Sequence, residues 1–212
     1  MSELSNYWNS YYKYADRIIQ LVPSQFAAFV ASEVPNVDVV LDLGCGSGRD
    51  SIFFARHHPR VVGVDASESA IQGCVARSEQ LGVSERVSYF CEDIESPALS
   101  ETLRSVVGNQ TALIYSRFFL HAINEEAQHQ LLTMARGLMG AGSVLALEFR
   151  TGRDAALKKE TPGHFRRYID TAAFLQSLTQ YGLEVKYFVE GFGYAKYKSD
   201  DAHVARVICT AC

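Results

Sequence analysis

Five short runs of β-branched and aliphatic residues, each separated from the next by a stretch with helical periodicity, restrict what this chain can fold into. The runs are "NVDVVLDL" near residues 37–43, "RVVGVD", "RVSYFCED", "TALIYS" and "SVLALEF". Between them lie "RDSIFFARHH", "SESAIQGCVARSEQLG", a segment near residues 97–107, and "NEEAQHQLLTMARGLMG". The last has acids in its first turn and apolar or small residues at Ala127, Leu131, Leu132, Ala135 and Leu138, one face of a helix. Strands alternating with helices predict a parallel sheet covered on both faces. The pattern then changes. "DTAAFLQSLTQYG" reads as a helix capped by Asp170, and "LEVKYFVE" and "AHVARVICTA" read as two strands forming an antiparallel pair. The expected fold is α/β, a seven-stranded and mostly parallel sheet with an antiparallel C-terminal pair. At 212 residues the chain is long enough for one well-buried domain and short for two. Residues 1–35 are expected to form an aromatic-rich helical cap, 36–150 the first half of the sheet, and 151–212 a charged segment and the final strands.

Between the first strand and the first crossover helix stands "LDLGCGSGRD". Gly44, Gly46 and Gly48 alternate, and Asp42 precedes them by two residues. Glycines this dense mark backbone that turns tightly or lets a ligand approach closely. The dinucleotide fingerprint GxGxxG would need glycine at position 49, where this chain has Arg49. The phosphate-binding P-loop needs a lysine that this turn lacks. Asp42 would also repel a pyrophosphate. The combination suits a ligand that is positively charged and carries no phosphate.

Net charge of -4 argues against a general nucleic-acid or anionic-membrane binder, which needs a basic surface. No apolar run approaches the ~18 residues of a membrane span. The N-terminal stretch has no signal-peptide core. Five cysteines without a CxxC pair read as free thiols of a reducing, cytoplasmic environment, and none has zinc-type spacing.

"VVLDLGCGSGRD" resembles the first motif of class I S-adenosylmethionine-dependent methyltransferases, "VVGVDAS" the second and "YFCEDI" the third, with acids ending successive strands. The resemblance covers roughly residues 37–210 and implies a Rossmann-like fold with S-adenosyl-L-methionine as cofactor. By position, it assigns the methionyl part of the cofactor to Gly44, Cys45, Gly46 and Gly48 and its α-amino group to Asp42. The ribose hydroxyls fall to Asp65, followed by Ala66, and the adenine to Asp93 and Ile94. Tyr115 and Ser116 would border the methyl group. Asp93 reads equally as a helix cap, and Cys45 as a packing residue. Nothing acidic lies between Ser116 and Ala122, so no metal is expected.

Three segments bear on the acceptor. The N-terminal "YWNSYYKY" sets Tyr7, Tyr11 and Tyr14 on one helical face, with Tyr12 beside them. It is either a face packed on the core or a lid touching the acceptor. "SRFFLHAI" after the fourth strand contributes Arg117 and His121, the latter a general base or a hydrogen-bonded structural histidine. From Arg150 to Asp170 there are six Lys or Arg against three Asp or Glu. This is either a solvated charged face or an anion site, with Arg150, Arg153, Arg166 and Arg167 as candidates. "EGFGYAKYK" adds Tyr194, Lys196 and Lys198. An ionised oxygen would need no base; an alcohol or amine would draw on His121 or His164. Together with "EFRT", "HFRRYI" and "DDAHVARVI", these segments also resemble bacterial methyltransferase domains associated with surface-polysaccharide and phosphoryl-transfer genes. The expected activity is methyl transfer to a small, anionic acceptor, possibly a saccharide or its precursor, with neither nucleic acid nor membrane insertion. The alternatives are a non-catalytic cofactor-binding protein, or methylation of a neutral metabolite.

Overall fold

The computed structural model describes residues 3–14, 22–157, 159, 165–197 and 199–212. Five parallel strands, β1 (Val39–Leu43), β2 (Val61–Asp65), β3 (Val87–Cys91), β4 (Ala112–Arg117) and β5 (Val144–Arg150), form most of one sheet. Two antiparallel strands, β6 (Leu183–Gly191) and β9 (Val204–Ala211), complete it in the order β3-β2-β1-β4-β5-β9-β6. The strand order reverses between β1 and β4, and in open α/β sheets ligands bind outside the carboxyl ends of the strands at such a switch point. A two-stranded hairpin, β7 (Lys196–Tyr197) with β8 (Asp200–Asp201), interrupts the β6–β9 connection, where only a short loop is expected from the sequence.

Side-chain alternation sends β1 to two cores. Leu41 and Leu43 join the face covered by α5 (Pro97–Val107), α6 (Glu125–Leu138) and α7 (Thr171–Leu178), through Leu99, Leu131 and Phe174 among others. Val40 joins the opposite face, under α2 (Gln25–Glu33) and α3 (Arg49–His57), with Phe26, Phe54 and Tyr115. Asp42 points the same way as Val40, toward α3. The second crossover helix, α4 (Glu68–Gln80), starts at Ser67, whose hydroxyl accepts the Ala70 amide at 3.1 Å. Asp170 caps α7 as its position predicts, accepting the Ala173 amide at 3.0 Å. The first helix, α1 (Glu3–Tyr14), crosses to α4 rather than to the sheet. The Asn9 side-chain oxygen there accepts the Ser69 amide at 3.0 Å. Among the described residues no helix is long and apolar enough to cross a membrane.

Candidate active site

All three motif glycines adopt positive φ: 75° at Gly44, 52° at Gly46 and 71° at Gly48. An L side chain is strained there, so the alternation is a backbone requirement. The turn folds back on the end of β2. The Gly44 and Cys45 amides both donate to the Val64 carbonyl, at 2.8 and 3.0 Å, and the Gly46 amide donates to Asp65 Oδ2 at 2.9 Å. The Gly48 amide donates to the Cys45 carbonyl. The turn thus spends its amides on protein acceptors, whereas a phosphate nest leaves them for the ligand.

Two carboxylates lie at this turn. Asp42 is 3% exposed, and its Oδ2 accepts the Ser51 hydroxyl at 2.5 Å. Burial raises its pKa to about 7; Ser51 and Arg117 oppose the rise, while Asp50 and Asp65 add to it. Asp65, at the end of β2, also accepts the Ser67 amide at 2.9 Å through Oδ1. Burial raises its pKa against the pull of its two amide donors. Two carboxylates held above their ordinary range by desolvation make a site that gains from a cation.

Other cofactor candidates divide. Tyr12 sits against the glycine turn: a Cβ built on Gly46 would come within 2.3 Å of its hydroxyl. A Cβ on Gly44 would meet the Phe119 ring at 2.4 Å. The Cys45 thiol is hydrogen-bonded to that of Cys74, which together with burial holds its pKa well above the ordinary range. Ala66 is exposed after Asp65. Asp93 is exposed and accepts the Glu95 amide at 3.1 Å, while Ile94 is buried in the α5–α6 core beside Leu99. Ser116 is buried and donates to the Leu43 carbonyl at 2.9 Å. Tyr115 requires a correction. It does not border a methyl site but is fully buried beneath α2 and α3, its hydroxyl donating to Asp50 Oδ2 at 2.8 Å.

The arginines next to the strand ends are organised by acids that the sequence does not advertise. Glu148 of β5 is buried and bridges Arg117 and Arg206, at 2.8 and 2.7 Å. Arg150 is buried with Nη1 on Asp154 at 2.7 Å and Nη2 on Asp200 at 2.6 Å, so both ends of its fork are engaged. Lys159 shares Asp154 at 2.9 Å. Arg166 lies close enough to Arg150 that burial and that neighbour lower its pKa, with Tyr168 and Tyr7 of α1 also near. Arg167 turns away: it donates to Gln128 at 2.6 Å and to the Leu120 carbonyl, tying its segment to α6. This neighbouring pair therefore has different surroundings.

His121 is buried, and its Nδ1 accepts the Arg150 amide at 3.2 Å. An Nδ1 that accepts leaves the proton of the neutral ring on Nε2. His164 and Lys198 lie outside the described residues. Tyr194 is half-buried beneath the Arg206 guanidinium, 5.1 Å from its ring centre, while Lys196 is exposed on β7. Tyr11 is 37% exposed and near Tyr197. Asp200 and Arg206 are positions that sequence reasoning missed. For Arg206 the available signal was a charged residue alternating with the apolar Val204 and Ile208 on one face of β9, and for Asp200 there was none. Among the described residues no cluster of His, Cys, Asp and Glu is placed to hold a metal.

Residues 40–142 match a family model described as a methyltransferase domain. Over 56 residues, 26% of this chain, the sequence is 45% identical to the ubiquinone biosynthesis O-methyltransferase of Coxiella burnetii. The match covers 23% of that protein, so the chain aligns with less than a quarter of that curated relative. A methyltransferase of Anabaena variabilis described as S-adenosylmethionine-dependent superposes with a TM-score of 0.74 at 20% identity, over 98% of this chain and 93% of that one. Magnesium protoporphyrin IX methyltransferase of Synechocystis, solved with bound S-adenosylhomocysteine, gives 0.68 at 16% identity, over 99% and 100%. A methyltransferase domain is thus matched from β1 to β4, across the glycine turn, and nearly the whole chain has the fold of structures described as S-adenosylmethionine-dependent methyltransferases.

Proposed function

We propose that the protein transfers a methyl group from S-adenosylmethionine to a small anionic acceptor. The observation that carries the cofactor is the glycine turn itself: its amides are spent on Val64 and Asp65, and it is flanked by two desolvated carboxylates. That environment fits a ligand bearing an ammonium and a sulfonium and opposes a pyrophosphate. Asp42 holds the α-ammonium, and Asp65 accepts from the ribose hydroxyls with the lone pairs its amide donors leave. Tyr12 covers the Gly46 side of the turn, and α1 excludes water from above. When bound, the cofactor supplies a methyl group already activated by its sulfonium.

The acceptor side has the opposite sign. Around Arg150 three cations (Arg150, Lys159 and Arg166) face two carboxylates, Asp154 and Asp200. At Glu148 two arginines share one carboxylate. The group around Arg150 retains positive charge at the carboxyl end of β5, which favours an anion, whereas Asp50 also faces Arg117 in the second group and offsets its charge. Arg166, beside Arg150 and half-buried, is the contact residue in this reading. The protein's contribution is then mainly orientation, worth up to ~7–11 kcal/mol in well-aligned reactions. An ionised acceptor oxygen needs no base, in keeping with His121 Nδ1 being taken by the Arg150 amide.

The test is methyl-labelled S-adenosylmethionine incubated with a panel of anionic acceptors and their neutral esters or alcohols. Label transfer to anions, and not to neutral counterparts, is expected. Transfer confined to neutral acceptors would overturn the anionic reading.

A further inference from the structure

Ser51 lies in the first turn of α3, and its side chain is fully buried. A serine hydroxyl inside a helix commonly turns back on the carbonyl of the preceding turn. Here it reaches across to the end of β1 instead and donates to Asp42 Oδ2 at 2.5 Å. A hydroxyl has one proton to give, so this bond commits it. The distance is that of a charge-assisted bond, in which the acceptor is an ionised carboxylate. Asp42 is itself buried, and Ser51 is its only hydrogen-bond donor among the described residues. Oδ1 accepts from none of them, and it is not one of the buried polar atoms sealed from solvent without a partner. The two oxygens of one carboxylate are thereby made unequal. The groups facing Asp42 are Asp65 from β2, Tyr89 from β3, Tyr115 and Arg117 from β4, Asp50 from α3 and Cys45 from the turn. Burial raises the pKa of both tyrosines, and the Cys74 contact together with burial raises that of Cys45, so none of the three ionises below pH 8.5. Asp50 and Asp65 disfavour a further negative charge, and Arg117 opposes them.

A carboxyl group desolvated beside two other acids favours its neutral form, and a neutral carboxyl attracts an ammonium only weakly. A donor fixed on one oxygen counters this, because it stabilises the charged form more than the neutral one. It also holds the carboxylate in one orientation before the ligand arrives, so that less freedom is lost on binding. We propose that Ser51 is a positioning residue for the cofactor: by holding Oδ2 it reserves Oδ1 of Asp42 for the α-ammonium of S-adenosylmethionine and favours the charged carboxylate that this ammonium needs. The inference rests on the assignment of Asp42 in the reading above. Ser51 stands nine residues beyond Asp42, across the glycine turn, and only the packing of α3 on β1 brings the two together.

Calorimetric titration of the full chain with S-adenosylhomocysteine at several values between pH 6 and pH 8.5 tests the proposal. Ser51→Ala should bind about tenfold more weakly than the native chain at pH 6 and within about twofold of it at pH 8.5, because the titration of Asp42 moves up by about one pH unit. Ser51→Cys, close in size and a weaker donor, should fall between the two at pH 6, which separates the hydrogen bond from packing. In an Asp42→Asn background the further change Ser51→Ala should alter affinity by less than about twofold, equally at every pH. An equal loss at every pH in Ser51→Ala would overturn the proposal and leave Ser51 a packing role. No loss at any pH, or a pH-dependent loss that persists beside Asn at position 42, would overturn it as well. If Asp42→Asn alone binds as the native chain does throughout, the assignment of Asp42 fails, and the proposal falls with it.

Discussion

Asp42 ties stability and ligand binding to pH in opposite directions. Its carboxyl is raised from 3.8 to about 7 in the folded chain, chiefly by burial. The native state therefore holds this proton more tightly than the unfolded chain does. For this group, stability is greatest below about pH 4, falls as pH rises toward 7, and is level above that. The gap corresponds to roughly 4 kcal/mol as an upper figure. A bound α-ammonium reverses the preference, because it requires the ionised carboxylate. Binding near pH 6 should then release close to one proton. Affinity should weaken by about tenfold from pH 8 to pH 6, and by about tenfold more at pH 5. Asp42→Asn keeps the shape and an acceptor for Ser51 while removing the charge. It should be at least as stable as the native chain at pH 8 in urea and should bind S-adenosylhomocysteine about 2–3 kcal/mol more weakly. Its pH dependence of affinity between 5 and 8 should be flatter. The assay is calorimetry in two buffers of different ionisation enthalpy, which counts the protons directly. No proton release at pH 6 from the native protein, or the same release from the Asn variant, would refute the assignment of Asp42 to the cation.

Other substitutions probe separate parts of the account. Asp65→Ala removes an acceptor for two ligand hydroxyls and should cost roughly 3 kcal/mol in S-adenosylhomocysteine affinity, read by calorimetry. Unchanged affinity would take Asp65 out of the site. Gly46→Ala places a Cβ within 2.3 Å of the Tyr12 hydroxyl at φ 52°, so it should both displace α1 and cost about 1–2 kcal/mol of stability. Greater protease sensitivity of residues 3–14 would report the displacement. Glu148→Gln leaves Arg117 and Arg206 without their shared buried partner and should destabilise the fold by about 3–5 kcal/mol in urea denaturation. Arg166→Gln should leave cofactor affinity intact and remove acceptor binding, whereas Arg167→Gln should lower the melting temperature and spare acceptor affinity.

The sheet was legible because its signals are local. Each strand is a short aliphatic run, each crossover helix has its own periodicity and cap, and the glycine spacing states a backbone conformation that only glycine adopts easily. The positions of Asp42 and Asp65 beside that turn were legible from the ends of β1 and β2, where each stands in a motif of its own. What sequence could not supply was pairing at a distance. Arg166 and Arg167 are adjacent and chemically identical, and only the path of their segment sends one toward Arg150 and the other toward α6. The two acids that occupy Arg150 come from positions 154 and 200, and Glu148 meets Arg206 across β9. Tyr115 was misplaced because its hydroxyl has a buried partner, Asp50, supplied by a helix 65 residues earlier. Tyr12 meets the glycine turn because α1 packs on α4, a tertiary contact that its aromatic spacing does not encode.

The central claim is that the glycine turn is a cation site for S-adenosylmethionine and not a phosphate nest. Calorimetric titration of the purified chain with S-adenosylmethionine, S-adenosylhomocysteine and NAD tests it most directly. The account predicts micromolar binding of the first two and none of NAD. Binding of NAD without S-adenosylmethionine would contradict it, and the roles of Asp42, Asp65 and the turn amides would have to be reassigned together.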